Sequence, residues 1–435
     1  MSGLPSHPQA TPTADGKTIA EFDHLFSEQG IAVSGDGSHL VLLTADLHGK
    51  SRQPAVASKK GLKEKPRARF EGGEHTAIGD DIFLSFNAGH DQQAKDVQLR
   101  LPNELALTYG QVLALGGDFY GIPDRPISEG STPADRLQRF IAAYESLAVL
   151  PASRAEATKI LAVMKKEIDA VNQAIADGKE PHEAYDALGD TLSEEWNRIT
   201  GGGSFVSAMF PFGRYLKLAA NNADHFAQYA QLAYIAGHSV ALQHAVNAKA
   251  SQDKKLLEQA YAMNAFADHF LTDLFSSGHL RVPRKELAAV VTPSDLGSLI
   301  TRFMHDEDSK FGLKVRNGNG DQWRAYGDKR YFDSGDSVNR VHVKQAVQDS
   351  ADEIFTAYLS GTLPSPTTYA ALKRLPDLQA VLNLANNFSP LFRVEGSKVL
   401  RRKDVNNLND TATVDDWWGW STYLLLKDYN PKGNV

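Results

Sequence analysis

Residues 268–284 read Asp-His-Phe-Leu-Thr-Asp-Leu-Phe-Ser-Ser-Gly-His-Leu-Arg-Val-Pro-Arg, and the apolar spacing extends back to Gln252. His269, Asp273 and His279 stand at i, i+4 and i+10 in an otherwise apolar helix pattern. At roughly 100° per residue the first two lie about 40° apart, and His279 falls about 80° to the other side of His269. One pocket can therefore receive all three. Two imidazoles and a carboxylate are ligands that a borderline-soft divalent ion such as zinc takes. A plainer reading stays open beside this one: a core histidine hydrogen-bonded to Asp273, because buried polar groups must satisfy one another. Ser276-Ser277-Gly278, followed by Pro283, predicts a helix end that leaves His279 just beyond it.

Working outward, amphipathic spacing predicts helices over 103–116, 132–149, 153–175, 182–199, 293–305 and 338–359. Residues 211–247, rich in Ala, Tyr and Leu, read as one long or two short buried helices. Asn317-Gly318-Asn319-Gly320, flanked by alternating apolar residues, signals a hairpin. A short Val/Leu-rich run between Gly37 and Leu47 reads as a strand or a helix start. Residues 1–20 read as a flexible leader and 50–69 as a second mobile, basic segment. Residues 361–435 read as a C-terminal accessory region ending in Trp417, Trp418 and Trp420. The expected class is mostly α, a multi-helix bundle with a β-hairpin.

The 435 residues suffice for a sizeable core, and 42% hydrophobic with 23% charged residues is ordinary for a soluble globular chain. Forty-six basic and 53 acidic side chains give a formal charge of −7, which does not favour electrostatic capture of nucleic acid. There is no cysteine, so any metal must be held by nitrogen and oxygen. No apolar run reaches the ~20 residues of a membrane span, and no Sec-type signal opens the chain. The expected location is cytoplasmic, or outside the cell by a non-Sec route.

Three further places set metal-type side chains beside apolar helices: Asp118 after Gly116-Gly117, His225 within Asp224-His225-Phe226, and His305 with Glu307 and Asp308 close behind. Each also has a dull explanation, as a loop residue, a capped helix start or a solvated acidic helix end.

In chain order Asp118, His225, His269-x-x-x-Asp273-x-x-x-x-x-His279 and His305 resemble the zinc-dependent phospholipase C superfamily, which includes single-strand-specific nucleases. Its central His-x-x-x-Asp-x-x-x-x-x-His spacing is identical here, Asp118-Phe119 matches its Asp-aromatic dipeptide, and His225-Phe226 its His-Phe. The resemblance implies a helical catalytic domain over 21–360, with 125–210 as a helical insertion. It also implies two to three zinc ions. Asp118, His225, His269 and Asp273 would surround one zinc, His279, His305 and a nearby acid a second, and Asp273 would bridge to a third. The family's Glu four residues after its last His falls at Ser309, so Asp308 is the expected substitute, ahead of Glu307. His75, in Gly72-Gly73-Glu74-His75-Thr76, is the candidate for the family's early His, with His24 and His48 behind it.

The resemblance further implies a phospholipase C that hydrolyses phosphatidylcholine-like glycerophospholipids at a membrane surface. Attack on phosphorus would be in line, by a zinc-bound water, with Asp118 as general base. Products would be diacylglycerol and a phosphorylated headgroup, with Phe119 and Tyr120 as the headgroup surface. Two alternatives compete: a nuclease or nucleotidase with the same metal cluster, and a non-enzymatic helical assembly protein stabilised by zinc.

Overall fold

From Ala260 to Asp273 every residue of helix Lys254–Asp273 is buried, so this helix forms the axis around which the rest is laid. Asp253 starts it, its side chain accepting the Lys255 N–H. The computed structural model describes residues 31–34, 40–42, 72–188, 191–205, 209–221, 223–291, 294–396, 398–415 and 429–432. The proposed leader, His24, His48, the basic 50–69 segment and the three tail tryptophans lie outside the described residues.

Helix Ala227–Ser251 runs back along the axial helix over its whole length. Small residues allow the close approach: a Cβ on Gly237 would stand 2.5 Å from that of Ala267 and 2.3 Å from the Phe140 ring. Helix Ser337–Ser360 packs on both members of this pair. Helix Tyr109–Leu115 crosses the axial helix on another side and carries helix Gly72–Asp80 with it. Pro133–Ala148 packs on Ala227–Ser251, and Pro151–Ala176 on Gly72–Asp80. The described residues are 57% helical with 14 helices, the mostly α class expected, and carry only small two- and three-stranded sheets.

The expected hairpin pairs Leu313–Arg316 with Gln322–Ala325, Leu313 opposite Ala325. Several helix limits differ from those expected. Ala106–Leu107 is a strand paired with Leu99–Arg100, and the helix begins only after Thr108, which forms a capping box with Gln111. Residues 182–199 form two helices, His182–Leu188 and Thr191–Ile199, with Gly189 between them in the sequence. The 293–305 helix runs from Ser294 to Phe311, where Gly312 at φ +68° ends it, so His305 is interior rather than terminal. His279 occupies a short helical turn of its own, Ser277–Leu280.

The core continues into the C-terminal part, where Leu391, Phe392 and Leu408 are fully buried. Two buried arginines tie it to helix Ser294–Phe311. Arg281 grips Asp308 through two contacts of 2.9 and 2.6 Å, and Arg402 grips Glu307 at 3.1 and 2.6 Å. Among the described residues no helix is long and apolar enough to cross a membrane.

Candidate metal centre

Six segments far apart in sequence, the loop of Asp328 among them, converge at the C-terminal end of the axial helix. Its last turn supplies His269 and Asp273, and the next turn supplies His279. His225 comes from a 3₁₀ turn, Ala223–His225, after which Ala227 at φ +47° swings the chain into the long helix. A non-glycine residue there is strained, and such strain persists only where the surroundings enforce it. Asp224 anchors the turn just before it, its carboxylate accepting the Ile127 N–H at 2.5 Å and the Ser128 N–H at 2.8 Å. Helix Gly72–Asp80 brings His75, the loop after Tyr109–Leu115 brings Asp118, and helix Ser294–Phe311 brings His305.

Three groups result: His75, His269 and Asp273; Asp118, His225 and His269; and His279, His305 and Asp328. In each, one potential ligand atom per residue lies within 4.8 Å of the others. These buried groups can hold a metal ion. His269 belongs to two of them. Asp273 also spans two, its Oδ2 lying 2.9 Å from His225 Nδ1 and its Oδ1 3.6 Å from His75 Nε2. At 2.9 Å the Asp273 Oδ2 contact still lacks hydrogen-bond geometry, and that buried oxygen has no hydrogen-bond partner.

The imidazoles are oriented from behind. Nδ1 of His269 faces the Leu113 carbonyl at 3.1 Å, that of His279 the His225 carbonyl at 2.8 Å, and that of His305 the Asp306 carboxylate at 2.9 Å. Nδ1 of His75 lies 3.0 Å from Thr272 Oγ1, whose own hydrogen donates to the His269 carbonyl at 2.8 Å. With Nδ1–H donating outward, all four rings turn an Nε2 lone pair inward, the tautomer a ligand requires. Facing nitrogens then stand 3.2 Å apart in the His225–His269 pair and 3.3 Å apart in the His279–His305 pair. Two nitrogens each about 2.0–2.1 Å from a tetrahedral zinc stand about 3.3–3.4 Å from one another. The donor set and its spacing can hold a metal ion through nitrogen and oxygen.

Burial pushes the Asp118 carboxyl up to about 7. Burial alone would lower His279, but the Asp328 and Asp273 carboxylates outweigh it and raise it to about 9. For Asp273 and Asp328 the same burial opposes ionisation, yet the surrounding imidazoles hold both below the usual carboxylate range. His269, wholly enclosed, is pulled well below its ordinary value by burial. In the metal-free protein, therefore, protons on some imidazoles balance the carboxylates. Side-chain exposure rises from 0% at His269 and 5% at Asp118 and Asp273 to 13% at His75 and 21% at Asp328. The cluster opens to solvent on the His75 and Asp328 side.

Of the residues expected from sequence, Asp118, His225, His269, Asp273, His279, His305 and His75 are gathered here. Asp308 is not: both its oxygens are taken by Arg281, and the alternative, Glu307, is taken by Arg402. A buried guanidinium without its carboxylate is costly, so each arginine claims an acid. The acid beside His305 is instead Asp328, with Oδ2 3.0 Å from His305 Nε2 and 3.4 Å from His279 Nε2. Asp328 belongs to no periodic pattern and follows the hairpin in a loop; the only signal was its place in a polar loop beside an apolar core.

Phe119 and Tyr120 also depart from expectation. Phe119 is fully buried, stacked on Tyr215 and edge-on to Trp196. Tyr120 donates its hydroxyl to the Ser153 carbonyl at 3.3 Å and lines a cavity of only 30 Å³ behind Gly117, room for about one or two waters. Neither ring offers a headgroup surface.

Gly117 marks how tightly the cluster is closed. At φ +70°, a Cβ there would stand 2.4 Å from His269 Cδ2 and 2.9 Å from His225 Cε1. Gly117→Ala is expected to displace both rings, weakening metal binding and lowering stability by at least the roughly 1–2 kcal/mol of a left-handed alanine. Parallel zinc titrations and urea melts check this; two unchanged curves would mean that the rings have slack.

No protein-family model, curated protein or solved structure matches this chain.

Proposed function

We propose that this protein is a zinc-dependent phosphodiester hydrolase, a phospholipase C acting on phosphatidylcholine-like glycerophospholipids. One observation carries the reading. Two nitrogen pairs stand at tetrahedral ligand spacing, three of the four rings (His269, His279 and His305) being oriented from behind, and Asp273 offers its two oxygens in different directions. A closed four-ligand structural site needs no such surplus of ligands, which favours chemistry over the zinc-stabilised assembly reading.

Zinc bound there would neutralise phosphate charge and bring the pKa of a water to about 7. The chain's own residues do the rest. His75 and Asp328 line the open side, where a phosphodiester would enter. Asp118, beside His225 and His269, would serve as ligand and general base, the roles that the resemblance implies. His269, enclosed and pulled towards neutrality, keeps its lone pair over the whole working range. Lipid is preferred over nucleic acid as substrate because the net charge of −7 works against a polyanion. Contact with the lipid surface would be peripheral.

Release of phosphorylated headgroup from phosphatidylcholine vesicles, set beside acid-soluble product from single-stranded DNA, tests the reading. Activity on DNA alone would make the protein a nuclease. Activity on neither, at full zinc loading, would remove the hydrolase.

Zinc uptake should also release protons. His279, raised to about 9, is protonated at pH 7 and must lose that proton to become a ligand. Apparent affinity is therefore expected to climb as pH rises towards about 9 and to fall below neutrality. Titration of metal-free protein with zinc in weakly buffered solution at pH 7 reads the protons directly. Uptake without acidification would contradict this protonation scheme.

A further inference from the structure

Asp328 is the ligand candidate with the least regular support: it lies in the loop between strand Gln322–Ala325 and helix Ser337–Ser360, among the described residues. Its neighbour Lys329 is at φ +71°, a conformation a side chain adopts only when held there. Three outside contacts hold it.

The first comes from the helix that carries His75. Glu74, buried, accepts the Lys329 N–H on Oε2 at 3.2 Å and the Tyr331 N–H on Oε1 at 3.1 Å. The second comes from the axial helix's end, where Ser276 Oγ donates to Asp328 Oδ1 at 2.7 Å and leaves Oδ2 facing the imidazoles. The third comes from the helical insertion. The His182 backbone N–H reaches Asp333 Oδ1 at 3.2 Å, and its ring Nδ1 lies 2.8 Å from Asp333 Oδ2. Glu180 accepts the Ser334 N–H at 3.3 Å and the Ser334 hydroxyl at 2.9 Å. The same insertion seats the His75 helix, since Met164 lies directly against Gly72 and accepts a contact from Thr76 Oγ1 at 3.5 Å.

Glu180, His182 and Asp333 also meet the spacing of a metal-holding group. Their oxygens and nitrogen are already paired with one another, with Ser334 and with Arg330, whose guanidinium lies 3.1 Å from Asp333. A cation beside that arginine is disfavoured, and the group is better described as a tie.

We propose that the helical insertion is a clasp for the second metal centre: Glu180 and His182 hold the far end of the Asp328 loop, Glu74 holds its near end, and together they set Asp328 against His279 and His305. These are positioning residues and touch no reacting atom. The inference rests on the reading of His279, His305 and Asp328 as ligands, and it assigns the insertion a purpose within that reading.

The test uses the full chain. Glu180→Ala with His182→Ala opens the insertion side, and Glu74→Gln removes one of two acceptors on the helix side. In metal-free protein, amide hydrogen exchange over 326–334 is expected to quicken about tenfold or more in both variants, while exchange in the axial helix stays as in the parent. In equilibrium dialysis against zinc alone, one ion is expected to bind roughly 10–100-fold more weakly, the range for loss of an outer-sphere partner. The remaining ions should keep their affinity, and Asp328→Asn should lose the same ion. His182→Asn, whose amide nitrogen takes the place of Nδ1, should restore much of both readouts.

Unchanged exchange and unchanged affinity in both clasp variants would overturn the proposal. So would a uniform loss of every ion with faster exchange in the axial helix, which marks a general folding defect. Were the parent protein to bind no zinc, the metal reading would fall while the exchange measurements still judged the clasp.

Discussion

Asp273→Asn is expected to abolish hydrolysis of phosphatidylcholine vesicles in a protein that still folds. Asp273 is the one carboxylate that reaches both neighbours, His225 Nδ1 at 2.9 Å and His75 Nε2 at 3.6 Å. An asparagine keeps the shape and loses the charge, and its amide group turns a donor towards one of those nitrogens. The loss should exceed the roughly 10–100-fold typical of an outer-sphere change, because a ligand itself is removed. Folding should survive, since the surrounding imidazoles can shed the protons that balanced the carboxylate and leave no buried charge unpaired. His269→Ala is the companion variant, removing a ring shared by two of the three groups. Headgroup release, zinc stoichiometry and a thermal melt are measured on each. Full turnover in both variants would eliminate this cluster as the active site.

Arg402→Ala should produce the largest fall in stability. Its side chain is wholly buried, pairs twice with the equally buried Glu307, and also donates to the Ser389 carbonyl at 2.6 Å and the Val405 carbonyl at 2.5 Å. Truncation leaves Glu307, which burial already raises to about 7, without the guanidinium that holds its charge, a loss of about 3–5 kcal/mol for a buried pair broken on one side. Replacing both partners by leucine should recover much of this, since the penalty comes from the orphaned charge and not from the absent attraction. Because Glu307 sits two residues from His305, Arg402→Ala should also weaken zinc binding. Urea unfolding of the single and double variants decides the matter; a loss under about 1 kcal/mol in Arg402→Ala would mean that the core relaxes around Glu307 or admits water.

Much of the metal-binding geometry was readable because it is local. His269 and Asp273 share a face by helical period alone, and the continuous apolar setting from Ala260 onward implied a buried helix. The hairpin was legible from Asn-Gly-Asn-Gly for the same reason, a turn conformation that few residues adopt. Limits of elements were less legible. Thr108 and Gly312 reset helix ends by one capping interaction or one left-handed glycine, and both choices depend on partners several residues away.

What failed was partner assignment across long distances. The acid after His305 was expected at Asp308 because the resemblance places an acid about one turn beyond that histidine. Arg281 and Arg402 arrive from either side of that helix and consume Asp308 and Glu307. Asp328 arrives from a loop 23 residues beyond His305, held there by a glutamate more than 250 residues earlier in the chain. Phe119 was read as a surface ring beside a ligand, but Trp196 and Tyr215, about 80 and 100 residues further along the chain, close over it.

The sequence by itself determined the class of fold, the axial helix and the kinds of atom available for a metal, because periodicity and side-chain chemistry are properties of short stretches. Only the tertiary structure decided which carboxylate faces the imidazoles and which neutralises an arginine. That choice is a competition between buried charges, and it is resolved only when every segment that can supply a partner has been packed into place.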